Sequence, residues 1–100
     1  MQIKDFAKRS KQIWAVKYTG ISQEVELQGQ VKGQRCSYEW QRTETPENLP
    51  SWRVDEITPT LQSTTIVTGL TVGKNIWFRY RIIEKAGPTN WSDPIKVLII

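Results

Sequence analysis

From Ile13 to the end of the chain, apolar and polar positions alternate in short runs separated by turn residues. This period of two is that of strands with one buried face. The clearest run is Asn75–Glu84, where Ile76, Phe78, Tyr80 and Ile82 fall on one side and Trp77, Arg79 and Arg81 on the other. A strand over about Gln23–Gln30 sets Val25 and Leu27 against Glu24 and Glu26, and one over Cys36–Thr43 sets Tyr38 and Trp40 against Ser37, Glu39 and Gln41. Further strands are predicted at Ile13–Tyr18, Ser51–Ile57, Ser63–Leu70 and Trp91–Ile100. Thr19-Gly20, Lys32-Gly33-Gln34, Thr58-Pro59, Val72-Gly73 and Gly87-Pro88 punctuate them, and Thr43–Pro50, with two prolines, reads as a long loop. Helical periodicity is not sustained anywhere. Seven short strands at this spacing predict an all-β, seven-stranded antiparallel β-sandwich over 13–100, entered from a leader or linker over 1–12.

Composition fits one modest core: 38% of the 100 residues are hydrophobic and 24% charged. No run approaches the length of a membrane-spanning helix, so membrane insertion is not expected. The start, Met1 to Phe6, lacks the apolar stretch of a secretory signal. A cytoplasmic location, or the surface, secreted or virion location of a fragment whose signal lies elsewhere, are both compatible with that. The net charge of +4 divides unevenly. Residues 1–17 hold five basic side chains against one acidic, which leaves nine against nine in the remainder of the 14 and 10. The basic character therefore belongs to the leading arm, Lys4–Lys17, and not to a protein face. With only Phe6 and Trp14 among those charges, a solvated linker is expected there, and contact with nucleic acid or an acidic membrane surface is the lesser reading.

Chemistry-bearing residues are few. Cys36 is the only cysteine and there is no histidine, so an intrachain disulfide and zinc sites of the Cys/His type are excluded. The usual general base and the common hydrolase triads are missing as well, and no glycine-rich phosphate loop is present. Glu24 and Glu26 lie on the outward side of one strand, where solvated surface is the expectation. Cys36 reads as a partly buried packing residue. Neither catalytic residues, cofactors nor metals are expected, and no small-molecule substrate is implied.

The stretch Thr65-Ile66-Val67-Thr68-Gly69-Leu70-Thr71-Val72-Gly73-Lys74-Asn75-Ile76-Trp77-Phe78-Arg79-Tyr80-Arg81 resembles the fifth-to-sixth strand segment of fibronectin type III domains. Ala86-Gly87-Pro88-Thr89-Asn90-Trp91-Ser92-Asp93-Pro94 resembles that family's following loop and its Trp-Ser-x-Pro entry to the last strand. Ser37–Arg42 and Ser51–Val54 are similar to its third and next strands. The variety with Trp52 and Trp-Ser-Asp-Pro resembles bacterial and phage examples more than vertebrate ones. The resemblance covers about residues 13–100 and implies an immunoglobulin-like sandwich of fibronectin type III topology. Three positions depart from the pattern. The family's tryptophan on the second strand falls on Gly29, the proline of its turn on Val72, and the tyrosine of its tyrosine corner on Ile76. Trp14 is expected to fill the space left at Gly29.

The implied function is that of a non-catalytic spacer or protein–protein interaction module in a larger bacterial or phage protein, with a protein partner or neighbouring domains of the same chain. Its candidate surface is Trp77, Arg79, Arg81 and Trp91 on the outer sheet, with Gly87, Pro88 and Asn90 in the adjoining loop, and the loop Val31–Gln34. Trp91 is expected to fold over the arginine pair, as in receptor relatives with a Trp-Ser motif, and Glu39 to pair with Arg79. Trp40 and Trp52 are expected in the core. Carbohydrate bound on Trp77 or Trp91 is the alternative reading. The loop Lys85–Asn90 has no Arg-Gly-Asp, so integrin-type adhesion is not implied. The apolar ending Val97–Ile100 is a candidate for pairing with a neighbouring chain.

Overall fold

A computed structural model of the chain describes residues 14–30, 36–53 and 55–100. The predicted leader, 1–12, and the loop Val31–Gln34 lie outside them. Eight strands form among the described residues: β1 (Ala15–Tyr18), β2 (Val25–Gln28), β3 (Ser37–Thr43), β4 (Asp55–Thr60), β5 (Thr64–Val67), β6 (Asn75–Glu84), β7 (Gly87–Pro88) and β8 (Ile95–Leu98). Two sheets result, one ordered β1-β2-β5 and the other β4-β3-β6-β7, with β8 also pairing β6. All pairings are antiparallel.

The two sheets bury one core between them, because alternation turns the apolar side of each strand inward. Val25, Leu27 and Val67 from the three-stranded sheet meet Tyr38, Trp40, Ile76, Phe78, Tyr80, Ile82 and Val97 from the other, with Trp14, Leu70 and Ile99 at its margins. Each such large apolar side chain contributes about 1.5–3 kcal/mol by leaving water. Cys36 packs against this cluster, partly buried. Tyr80 stands at the centre of an aromatic group: stacked on Trp40 at 4.7 Å, tilted against Trp14 at 5.3 Å, and stacked on Tyr38 at 6.3 Å.

Gly29 belongs to this group through what it lacks. A Cβ there would lie 3.0 Å from Tyr80 Cε2 and 3.3 Å from the Tyr38 ring. Trp14 is buried as expected, at 5% exposure, but the space over Gly29 is closed by the two tyrosine rings, with Trp14 packed behind them on Tyr80 and Trp40. Both tyrosine hydroxyls then reach Gln30: Tyr38 donates to its carbonyl at 2.7 Å, and Tyr80 accepts its N–H at 3.1 Å. The indole N–H groups of Trp14 and Trp40 have no partner among the described residues, so those rings are held by packing.

Several boundaries differ from the sequence expectation, the expected strands over Gln23–Gln30 and Ser63–Leu70 being shorter, at Val25–Gln28 and Thr64–Val67. The strand expected over Ser51–Ile57 is a 3-10 turn, Leu49–Arg53, followed by β4. The turn forms because Trp52 folds onto the sheet, its Nε1 donating to the Pro46 carbonyl at 3.1 Å, and the Ser51 N–H bonds to the Asn48 carbonyl at 2.9 Å. β4 runs through Thr58-Pro59, where a break was expected; it is an edge strand with a register shift opposite Tyr38 and Trp40, which tolerates a residue without an N–H. The last strand starts at Ile95 and not at Trp91, and a two-residue strand, β7, forms within the loop expected over 85–90.

Candidate functional site

The outer face of the larger sheet carries the residues singled out by sequence. Register places Gln41 opposite Arg79 and Glu39 opposite Arg81. Pairs directly opposite share a face and lie closest. Arg79 therefore donates to Gln41 Oε1 from Nε at 3.0 Å and from Nη2 at 2.7 Å, while Arg81 Nε contacts Glu39 Oε1 at 2.7 Å. The expected Glu39–Arg79 pair is thus corrected: the register lies one cross-strand pair away, and the carboxylate belongs to Arg81.

Stacking completes the arrangement. The Arg79 guanidinium lies 4.3 Å from the centre of the Trp52 ring and 4.5 Å from that of Trp91, and Arg81 lies 4.5 Å from Trp91. Trp52, Arg79, Trp91 and Arg81 form a ladder of alternating indole and guanidinium, with Trp52 fully buried at its foot. Burial, and then the neighbouring Arg81 charge, lower the Arg79 pKa from the usual guanidinium value. The flanking rings face that cation with their electron-rich sides, which offsets part of the lost hydration.

Trp91 is delivered to the ladder by its neighbours. Ser92 accepts the Tyr80 N–H on Oγ at 3.0 Å and donates its own N–H to the Tyr80 carbonyl at 2.8 Å. Thr89 repeats the motif on Ile82, accepting on Oγ1 at 3.0 Å and donating at 2.9 Å. Between β7 and β8, two hydroxyls thus supply acceptors that a continuous strand would have supplied from its backbone. That is why Trp91–Pro94 follows β6 closely without being a strand.

A groove of about 330 Å³ opens on this face. Glu39, Gln41, Arg79 and Arg81 line it, with Leu49, Ile57, Pro59 and Trp91 contributing apolar surface. Its volume is at the small end of ligand sites. Arg79, Arg81 and Trp91 are brought together here, as expected. Trp77 is not with them: it pairs across to Thr43 and Lys96, whose Nζ is 5.6 Å from its ring. Gly87 and Pro88 sit at the far end of β6, opposite Glu84 and Ile83, and Asn90 is exposed beyond them. Sequence reasoning missed Gln41 as a partner, Trp52 as a ladder member, and the wall formed by Leu49 and Pro59. Alternation alone put Gln41 and Arg79 on the outer face, but only the register of β3 on β6 makes them neighbours.

Among the described residues, no group of three or more His, Cys, Asp or Glu could hold a metal ion. Comparison with known proteins returns no matching family model and no matching curated protein.

Proposed function

We propose that this chain is a fibronectin type III-like module that acts as a non-catalytic spacer or protein–protein interaction unit within a larger bacterial or phage protein. The observation that carries the reading is the sheet assignment of β4. It pairs with β3 and not with β5, so that a β1-β2-β5 sheet faces a β4-β3-β6-β8 sheet, with β7 as a short addition. The resemblance of the chain from Gly69 through Trp-Ser-Asp-Pro supports the same topology. The outer face around Arg79, Arg81 and Trp91 is the contact surface such a module would use.

The ladder weighs against carbohydrate as the ligand. A sugar platform needs a free aromatic face, whereas Trp91 is engaged by two guanidinium groups and Trp77 by an ammonium. Replacing residues 14–100 in the parent protein by an unrelated sandwich of equal length tests the reading. Retained parent activity identifies a spacer, and loss of a binding activity that Trp91→Ala or Arg81→Ala also removes identifies an interaction module. Glycan binding by the isolated chain that requires Trp77 or Trp91 would replace this reading with the carbohydrate one.

A further inference from the structure

The free edges of the two sheets are not alike. β4 carries Pro59, which has no N–H to offer. β8 carries exposed Lys96, and its Leu98 carbonyl already accepts the Tyr18 hydroxyl at 2.7 Å. β1 carries exposed Lys17 and, through that same Tyr18, abuts β8. Charge, proline and covering groups are the devices that stop a sheet edge from adding a foreign strand. Among the described residues, the remaining edge, β5, has none of them. From Thr64 through Thr68 it is uncharged and β-branched at every position, and Ile66 is 48% exposed.

Register identifies the backbone groups that β5 presents. Gly29 donates to the Ser63 carbonyl at 2.7 Å, in line with the pairs Leu27–Thr65 and Val25–Val67. In an antiparallel ladder successive residues direct their N–H and C=O alternately to one neighbour and to the other. Ser63, Thr65 and Val67 therefore bond to β2, and Thr64, Ile66 and Thr68 aim theirs outward.

We propose that β5 is a self-association edge, on which two copies of this chain pair antiparallel about a twofold axis through Ile66. Residues directly opposite in such a pair share a face, so the axis must pass through a residue and not between two. With Ile66 on the axis, it faces the partner's Ile66, Thr65 faces the partner's Val67, and Thr64 faces the partner's Thr68. The outward backbone groups then meet one another, for on the order of six new hydrogen bonds. Every cross-strand pair is β-branched and none brings like charges together. Residues 18–100 hold nine basic and nine acidic side chains, so the net charge of +4 that each copy carries belongs to residues 1–17 and not to this edge. The result is one sheet running through both copies, on the side of the molecule opposite the arginine–tryptophan ladder.

Sedimentation equilibrium of the whole chain over a concentration series tests this, with Ile66→Lys, Ile66→Glu and an equal mixture of the two variants. The wild type is expected to show a reversible monomer–dimer equilibrium. Each variant alone places like charges on the axis and moves dimerisation to a concentration roughly tenfold higher or more. The mixture sets Lys against Glu and recovers the dimer. Far-UV circular dichroism matching the wild type confirms that the variants fold, since Ile66 lies on the outer face. A wild type that stays monomeric throughout overturns the proposal, as does a variant that dimerises like the wild type. A mixture that fails to recover the dimer removes the axis through Ile66.

Discussion

The Trp91 ring lies 4.5 Å from the Arg79 guanidinium, and it is held there from a segment that is not itself a strand. Arg81 stacks on the same ring at the same distance, so one side chain organises two cations of like sign that sit two residues apart on β6. Truncating it removes both contacts at once. Trp91→Ala is expected to lower stability by about 1–3 kcal/mol, two stacking contacts with some solvent screening. Urea unfolding checks this, and Trp77→Ala, which removes one longer contact with Lys96, is expected to cost less.

Ser92 makes a prediction that a general loss of stability would not reproduce. Its hydroxyl is the acceptor for the Tyr80 N–H, next to fully packed rings. Ser92→Ala leaves that amide without its acceptor, for a loss of about 1–3 kcal/mol. Native-state hydrogen exchange should show protection falling first at Tyr80, with Ile82 retained through Thr89. Thr89→Val should give the reverse order.

Gly29 is required by the volume over it. A methyl group there would press on Tyr80, which cannot retreat because Trp40 and Trp14 pack around it and its hydroxyl is tied to Gln30. Gly29→Ala is expected to destabilise by about 1–3 kcal/mol through overpacking. A thermal melt that stays unchanged or rises would mean that the ring has room to move.

Tyr80→Phe separates ring packing from hydrogen bonding. The ring stays and the acceptor for the Gln30 N–H goes, so a loss of about 1–3 kcal/mol is expected, with the near-ultraviolet dichroism of the aromatic group otherwise preserved. A larger loss with collapse of that signal would place the hydroxyl among the determinants of ring geometry.

Much of the fold was legible because its signal is local. Ile76, Phe78, Tyr80 and Ile82 alternate without interruption, and β6 spans the residues that this pattern predicts. The position of Trp40 in the core, and of Trp91 over Arg79 and Arg81, followed from alternation and from the resemblance, whereas Trp52, expected in the core, is buried on the outer face under Arg79. What escaped depends on pairing between distant segments. Glu39 was matched to Arg79 and not to Arg81 because a strand's own pattern fixes its face but not its register on the next strand. Trp52 satisfies a strand pattern equally well, and its bond to Pro46, with that of Ser51 to Asn48, turns that stretch into a 3-10 turn. The apolar ending Val97–Ile100 drew attention as a pairing edge, yet Tyr18, from the other sheet, already occupies the Leu98 carbonyl, and the Gln23 N–H occupies that of Ile100 at 2.7 Å.

That Tyr18–Leu98 bond has a mechanical consequence. β1 and β8 both run toward the end of the sandwich where it sits, so the chain enters β1 at one pole and leaves β8 at the other. Tension applied along the chain pulls β1 lengthwise against β2, and β8 lengthwise against β6. The rungs of each ladder then bear the load together instead of opening one after another.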